Sequence, residues 1–223
     1  MIEALVFDFD GLVLDTETCA FESVAAIFEA HGAPLDRSWW QQEILGTAEH
    51  PHWSVLLVER ATVPITDLDA LQVSRLAEHH ALVAQELVCA GVERLLAEAT
   101  VRGIPCAVAS SSAHDWVGGH LERLGLLERF AAVCCRDDVV PGRTKPAPDL
   151  YLAACDRLGV GPARSVALED SPNGVAAAVA AGLKVVGVAA GMTEGLPLVG
   201  AHRVVGSVAD VTIADLEALL ARR

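Results

Sequence analysis

Short apolar runs alternate with helical patterns over residues 91–221, and this alternation constrains the fold more than any other feature of the sequence. Strands that alternate with helices build a parallel sheet whose two faces are covered by helices. We therefore predict a Rossmann-like α/β core. Its expected elements are, in chain order, helix 92–102, strand 104–109, helix 113–124, strand 131–135, helix 148–158, strand 165–168, helix 172–181, strand 185–188, a short strand near residue 204 and helix 213–221.

The N-terminal part of the chain contains one further strand and then a long helical block. Residues 3–7 are predicted to form a buried strand, whereas no strand pattern occurs between residues 16 and 86. Because the first strand must join the sheet, the helical block is expected to be an insertion beside it. The predicted organisation is an α/β core of residues 1–14 and 87–223 with a small α-helical cap domain of residues 15–86. Helices are expected within that cap around residues 19–32, 39–45, 51–61 and 66–87.

The bulk properties of the chain limit its partners. Thirty acidic and sixteen basic residues give a net charge of −14, which repels nucleic acid and anionic membrane surfaces. The start of the chain has no pattern of a secretion signal, and the apolar stretch 174–191 is broken by Gly182 and Lys184. None of the six cysteines forms a Cys-x-x-Cys pair, so we expect buried reduced thiols. We predict a soluble cytoplasmic protein with no nucleic-acid or membrane partner. The sequence does not fix the oligomeric state, although it favours a monomer.

Two carboxylates, Asp8 and Asp10, follow the first predicted strand within an apolar segment. Removing one unpaired carboxylate from water is costly, and two neighbouring carboxylates also repel each other. Such a pair persists when a metal ion or a bound ligand compensates its charge. The sequence therefore predicts a functional site at the end of this strand.

Other polar groups follow other predicted strands, and the carboxyl ends of parallel strands meet at one edge of the sheet. Carboxylates there suit Mg²⁺, one aspartate could attack phosphorus, and a second could exchange protons with the leaving group. Each group taken alone also has a structural interpretation, such as helix capping or a solvated loop lysine. Their joint occurrence favours phosphoryl-transfer chemistry. The groups are Ser110-Ser111-Ser112, Lys145 and Glu169-Asp170-Ser171.

These groups resemble the four motifs of the haloacid dehalogenase superfamily, in its phosphatase and phosphomutase branch. Residues 8–17 are similar to the first motif, and Ser110, Lys145-Pro146 and Glu169-Asp170-Ser171 are similar to the second, third and fourth. The similarity spans the whole chain and includes the helical insertion after the first motif. A dehalogenase would not need Asp10, so carbon–halogen chemistry is disfavoured.

The resemblance implies a role for each motif residue. Asp8 would be the nucleophile and a magnesium ligand, and Asp10 would be the general acid/base with its backbone carbonyl on the metal. Ser110 and Lys145 would act on the transferring phosphoryl group. The metal site would be completed by Asp170 together with Glu169. The predicted phosphate-binding residues are Gly11, Leu12, Ser110, Ser111 and Lys145.

The expected substrate is a small phosphorylated metabolite, and a sugar phosphate is favoured. A β-phosphoglucomutase-like phosphomutase is the alternative. Such mutases resemble this chain but carry a histidine and an arginine in the cap, where residues 18–21 and 46–50 provide neither at the matching positions. Three arginines could substitute for them in binding a second phosphate: Arg37, Arg60 and Arg75.

The cap also contains tryptophans and histidines whose role is open. They could cover the leaving group, or they could form the small core of the cap. A zinc site at His50 and His52 lacks further ligands, and His79 and His80 are expected to be solvated. The predicted specificity residues are Glu17, Trp39, Gly46, Glu49 and His50.

Two non-enzymatic classes of protein share part of this pattern. A receiver-like phosphoacceptor protein also combines acids, a hydroxyl and a lysine, but it has no helical insertion of this length. A non-catalytic sugar-phosphate-binding protein would keep the fold and would be expected to lose Asp8 or Asp10, which this chain retains.

Overall fold

The structure, a computed structural model, describes residues 1–45 and 52–221. Its centre is a six-stranded sheet in which all neighbouring strands are parallel, in the order β3-β2-β1-β4-β5-β6. This arrangement confirms the predicted α/β class. The strands are β1 (Ala4–Phe7), β2 (Cys106–Ala109), β3 (Ala132–Cys134), β4 (Ser165–Glu169), β5 (Lys184–Val188) and β6 (Arg203–Val205).

The helices fall into an N-terminal block between β1 and β2 and a set that alternates with the later strands. The N-terminal block contains α1 (Thr16–Ala30), α2 (Arg37–Trp40) with a π-helical turn over Gln41–Leu45, α3 (Trp53–Arg60) and α4 (Leu68–Val83). The remaining helices are α5 (Val92–Val101), α6 (His114–Arg123), α7 (Asp149–Leu158), α8 (Pro172–Ala180) and α9 (Ile213–Ala221). The predicted elements are present, with ends displaced by a few residues. The largest difference is at α4, which ends four residues before the predicted end.

Strand β1 explains why the opening of the chain is apolar throughout. All four of its residues are buried, because helices cover both faces of the sheet. Leu5 and Phe7 belong to the apolar cluster that includes residues of α5, α6 and α9. Val6 belongs to the cluster on the opposite face, which includes residues of α7 and α8. The period of two along a strand thus divides β1 between the two halves of the core.

Helices α1 to α4 surround a separate apolar cluster. Phe28, Trp40, Trp53 and Leu57 are buried there, and Met192 from the loop after β5 joins them. The two chain segments that connect this block to the sheet run side by side. Leu14 and Val88 form an antiparallel bridge, and the Cys89 amide donates to the Val13 carbonyl at 3.0 Å. The helical block therefore has its own core and a paired connection.

All six cysteines are free, and five of them are buried. Burial raises the pKa of the Cys106 thiol to about 12, so this sulfur stays protonated at neutral pH. Among residues 1–45 and 52–221, no helix has both the length and the apolar character that a membrane crossing requires.

Candidate active site

The site lies at the carboxyl ends of β1 and β4, in the middle of the sheet. In the sheet, β1, β2 and β3 lie in that order on one side of this point, and β4, β5 and β6 lie in that order on the other side. The site is therefore the place where the strand order reverses. Ligands of open α/β sheets bind in the crevice at such a point. The Asp8 amide donates to the Leu168 carbonyl at 3.0 Å, which continues the pairing of β1 with β4 up to the first acidic residue. The backbone thus fixes Asp8 at the rim of the sheet.

Three buried carboxylates gather at this rim. Asp8, Glu169 and Asp170 each offer an oxygen, and the three oxygens lie within 4.8 Å of one another. Burial raises the pKa of Asp8 and of Asp170 well above the usual range, and for both the neighbouring Glu169 carboxylate raises it further. An all-oxygen set with this much uncompensated negative charge fits a hard divalent cation such as Mg²⁺.

Lys145 supplies the positive charge beside two of these acids. Its ammonium group forms ion pairs with Asp8 and with Glu169, and only 6% of its side chain is exposed. Burial by itself lowers the pKa of Lys145, but the carboxylates of Asp8 and Glu169 outweigh this effect and leave the pKa raised. Lys145 is therefore a buried, charged lysine and not a solvated loop residue.

Glu169 is held by hydrogen bonds on both of its oxygens. Tyr151 donates its hydroxyl to Oε1 at 3.1 Å, and Ser171 donates its amide and its hydroxyl to Oε2 at 2.9 and 3.0 Å. The Ser171 hydroxyl also accepts from the Gly174 amide at 3.1 Å and caps α8. Ser171 thus has the structural role that its position before Pro172 indicated, and it also orients an acidic residue of the cluster.

Asp10 has a different environment from Asp8, although one residue separates them. Its Oδ1 accepts from the Thr16 hydroxyl at 3.0 Å and from the Trp116 indole Nε1 at 2.8 Å. Its Oδ2 accepts from the Ser110 and Ser112 hydroxyls at 3.2 and 2.7 Å. Four donors therefore stabilise the carboxylate that the sequence places beside Asp8. The pair is tolerated because hydrogen bonds satisfy one acid and Lys145 pairs with the other.

Gly11 makes the close turn after Asp10. Its φ is +83°, in the left-handed region that favours glycine, and a Cβ at this position would lie 2.1 Å from Asp170 Oδ2. The Gly11 amide donates to the Leu14 carbonyl at 2.8 Å, and the Leu12 amide donates to the Phe9 carbonyl at 3.3 Å. The Leu12 side chain is buried in the core. In this geometry both amides are engaged within the turn, and the phosphate contacts of Gly11 and Leu12 stay a prediction.

A cavity of about 770 Å³ lies between the sheet edge and the helical block. Ser111 lines it from the sheet side together with the motif residues, whereas Ser110 is fully buried behind Asp10. The sheet-side residues of the lining include Asp8, Asp10, Ser111, Ser112, Lys145 and Asp170, and the helical block contributes Glu17, Ala20, Ile44, Leu45, Arg75, Leu76, His79 and His80.

The predicted specificity residues are placed differently from one another. Glu17 lines the cavity, and burial followed by repulsion from Asp10 and Asp15 raises its pKa to about 7. Trp39 packs against the helical core and stacks on the Arg60 guanidinium at 4.9 Å, outside the cavity lining. The structure therefore favours a packing role for Trp39. The other three predicted specificity residues, Gly46, Glu49 and His50, lie outside the described residues.

Only one of the three arginines considered for a second phosphate faces the cavity. Arg37 donates to the Gly191 carbonyl at 3.3 Å, and Arg60 covers Trp39. Arg75 lines the cavity, and its buried Nε has no hydrogen-bond partner among the residues that the structure describes.

The sequence did not predict that Trp116 and His79 lie at the cavity. Trp116 lies on α6, six residues after Ser110, and a tryptophan at helical spacing gives no indication that its N–H reaches an acid on another strand. His79 was expected to be solvated, and this expectation is wrong. It is half-buried, and its ring stacks on Trp116 with centroids 5.5 Å apart. His80 is exposed, as expected.

The fold and the site together combine a parallel α/β core, a rim of buried carboxylates and a helical insertion. The chain belongs to the haloacid dehalogenase-like hydrolases, because the model of that family matches residues 2–182. The resemblance inferred from the four motifs is thereby confirmed.

Curated relatives cover most of the chain. It is 42% identical over 188 residues to "Putative phosphatase YhcW" of Bacillus subtilis (strain 168), an alignment that covers 83% of each protein. It is 32% identical to "Phosphorylated carbohydrates phosphatase" of Thermotoga maritima, with 82% of this chain and 83% of the relative covered. The chain is also similar to a solved structure of CbbY from Rhodobacter sphaeroides in complex with phosphate, with 30% identity and a TM-score of 0.75. The match covers 97% of this chain and 100% of the CbbY chain.

Proposed function

We propose that this protein is a magnesium-dependent phosphatase that hydrolyses a small phosphate monoester, a sugar phosphate, through an aspartyl phosphate on Asp8. The observation that carries this proposal is the position of Asp8. Its buried carboxylate pairs with the Lys145 ammonium group, has an oxygen within 4.8 Å of oxygens of Glu169 and Asp170, and lines a cavity of about 770 Å³.

The cation would be held by Asp8, Asp170 and Glu169, with the Asp10 backbone carbonyl as a further predicted ligand. When bound, Mg²⁺ would neutralise carboxylate and phosphoryl charge. The raised pKa values of Asp8 and Asp170 support this assignment, since both acids need a neighbouring positive charge to stay ionised at neutral pH. Lys145 supplies part of that charge and would also bind a phosphoryl oxygen.

The reaction would proceed in two displacements at phosphorus. In the first, an Asp8 carboxylate oxygen bonds to phosphorus, the bond from phosphorus to the leaving-group oxygen breaks, and Asp10 gives its proton to that oxygen. In the second, Asp10 takes a proton from water, the water oxygen bonds to phosphorus, and the bond to Asp8 breaks. The products are an alcohol and inorganic phosphate, and both aspartates return to their starting state.

The direct test is the Asp8→Asn variant on a panel of sugar phosphates with inorganic phosphate as the readout. We expect loss of turnover with an unchanged circular dichroism spectrum, because an amide oxygen is a poor nucleophile. Retained hydrolysis by this variant would remove the assigned nucleophile. If the native enzyme itself releases no phosphate from any substrate in the presence of Mg²⁺, a non-catalytic sugar-phosphate-binding or phosphoacceptor role becomes the better interpretation.

The assignment of Asp10 has its own test. Asp10→Asn should slow both formation and breakdown of the aspartyl phosphate, because the same carboxyl group serves both displacements. Rapid quench with mass detection of the phosphoprotein separates the two rates. A normal rate of phosphate release would contradict the acid/base role.

The names of two relatives favour a sugar phosphate as the substrate. These are the Thermotoga maritima phosphatase named above and "Fructose-1-phosphate phosphatase YqaB" of Escherichia coli, which is 30% identical over 82% of this chain. We further propose the domain division 1–14 and 87–223 as the core and 15–86 as the cap. The separate apolar cluster of α1 to α4 and the bridge between Leu14 and Val88 support these limits.

A phosphomutase is the second candidate, and Arg75 is the observation that favours it. Its guanidinium group lines the cavity on the cap side and has no ion pair among the described residues, so it could bind a second phosphate. The structure of CbbY with xylulose-(1,5)bisphosphate, at 29% identity and a TM-score of 0.75, shows that a neighbour binds a bisphosphate. Incubation with β-glucose 1-phosphate and a trace of bisphosphate distinguishes the two activities. Formation of glucose 6-phosphate in excess over inorganic phosphate would establish the mutase.

A further inference from the structure

Trp116 is the one aromatic N–H among the hydrogen-bond donors that the structure shows on Asp10. It lies in the first turn of α6, and its Nε1 is 2.8 Å from Asp10 Oδ1. The other donors are the hydroxyls of Thr16, Ser110 and Ser112. A hydroxyl can rotate and accept a hydrogen bond, whereas an indole N–H can only donate.

This difference gives Trp116 a fixed role beside the Asp10 carboxyl group. The hydroxyls of Thr16, Ser110 and Ser112 can reverse their direction and accept a hydrogen bond. The indole N–H can only donate, and it points at Oδ1. Trp116 therefore fixes the orientation of the Asp10 carboxyl group.

The indole ring is contacted by His120 of its own helix, with ring centroids 4.4 Å apart, and by two residues of the cap. The His79 ring on α4 stacks on it at 5.5 Å and an interplanar angle of 23°, and His80 lies at 5.3 Å. His79 Nε2 also lies 3.4 Å from the carbonyl oxygen of Thr16, whose hydroxyl is the second donor to Asp10 Oδ1. Both residues that donate to this oxygen are thus in contact with His79 of α4, Trp116 through its ring and Thr16 through its backbone carbonyl.

We propose that Trp116 is the positioning residue of Asp10, and that α4 acts on this acid through the stacking of His79 on the indole. This inference rests on the phosphatase function proposed above and adds a residue outside its four motifs. It predicts that the indole N–H matters only where Asp10 must transfer a proton.

The first test compares leaving groups in the Trp116→Phe variant. Single-turnover release of phenol from phenyl phosphate should slow about tenfold or more, because phenolate departure needs general-acid assistance. Release from dinitrophenyl phosphate should stay within about twofold, because that leaving group departs without a proton. An equal loss with both substrates would indicate a merely structural role and overturn the proposal, as would no loss with either.

Trp39→Phe is the matched control, since it makes the same replacement at a half-buried cap tryptophan outside the cavity lining. It should leave both rates unchanged. His79→Ala should show the same dependence on leaving group as Trp116→Phe, with a smaller loss. Native rates in His79→Ala would refute the link to α4.

A second measurement does not depend on activity. The chain has four tryptophans, and their indole N–H signals can be assigned by nitrogen-edited proton NMR of the single Trp→Phe variants. Asp10→Ala should shift the Trp116 signal and leave that of Trp39 in place. An unmoved Trp116 signal would overturn the proposal even if Asp8→Asn abolishes turnover. Turnover by Asp8→Asn, in contrast, would refute the proposed function itself.

Discussion

Replacing Lys145 by methionine removes the only cation that the described residues place in contact with the acidic rim. The native lysine side chain is 6% exposed, and those of its partners Asp8 and Glu169 are 7% and 0% exposed. Removing one member of a buried ion pair typically costs about 3–5 kcal/mol, because the remaining charge keeps its desolvation cost and loses its partner. For a chain of this size such a loss lowers Tm by about 10 °C.

A divalent cation should reverse much of this loss. Without Lys145 the cluster is more negative, so Mg²⁺ should bind the variant more tightly and raise its Tm by more than it raises the native Tm. The assay is a thermal melt in EDTA and over a series of Mg²⁺ concentrations. Lys184→Met is the matched control, because Lys184 is the other lysine of the chain and lies on β5 without an ion pair to any residue that the structure describes. Equal Mg²⁺ effects in Lys145→Met and the native protein, or an unchanged Tm in EDTA, would refute this electrostatic reasoning.

Two further substitutions test residues that lie beside the acidic rim. Gly11→Ala should destabilise the protein by about 1–3 kcal/mol in urea unfolding, because φ is +83° and the new Cβ would meet Asp170 Oδ2; an unchanged midpoint would contradict the geometry of this turn. Glu17→Gln should stabilise the metal-free protein by about 3 kcal/mol at pH 8 and have little effect near pH 4. The sign follows from a pKa that folding raises from 4.5 to about 7: the carboxyl group is neutral in both states at low pH, and between these two values only the unfolded chain ionises, so the native protein loses stability until the pH exceeds about 7. A stability difference that does not change with pH would refute the raised pKa.

The sequence was sufficient for the architecture and for most of the rim. The alternation of apolar strands and helices predicted the parallel sheet, because a strand buried on both faces must be apolar throughout, as β1 is. The sequence predicted that four side chains meet at this rim, because each lies at the end of a strand, just after one, or in the loop before α7. These residues are Asp8, Lys145, Glu169 and Asp170. These side chains do meet in the structure.

The cap side of the cavity could not be predicted in the same way. Strand ends converge by a general rule of parallel sheets, whereas the faces that helices present depend on how they pack. The sequence left open whether Trp39 and Trp40 cover the leaving group or pack in the cap core, and the structure buries Trp40 in that core with Trp39 packed beside it. His79 looked solvated, yet the packing of α4 beside α6 places it on Trp116.

What the sequence determined by itself is therefore the set of groups that chain connectivity and strand burial force to one edge. What only the tertiary structure decided is the environment of each group there. Asp8 and Asp10 are one residue apart and chemically identical, but one pairs with Lys145 and the other accepts four hydrogen bonds. Those partners come from positions up to 137 residues away in the chain, and only the packing of the helices and loops around the sheet brings them within hydrogen-bond distance.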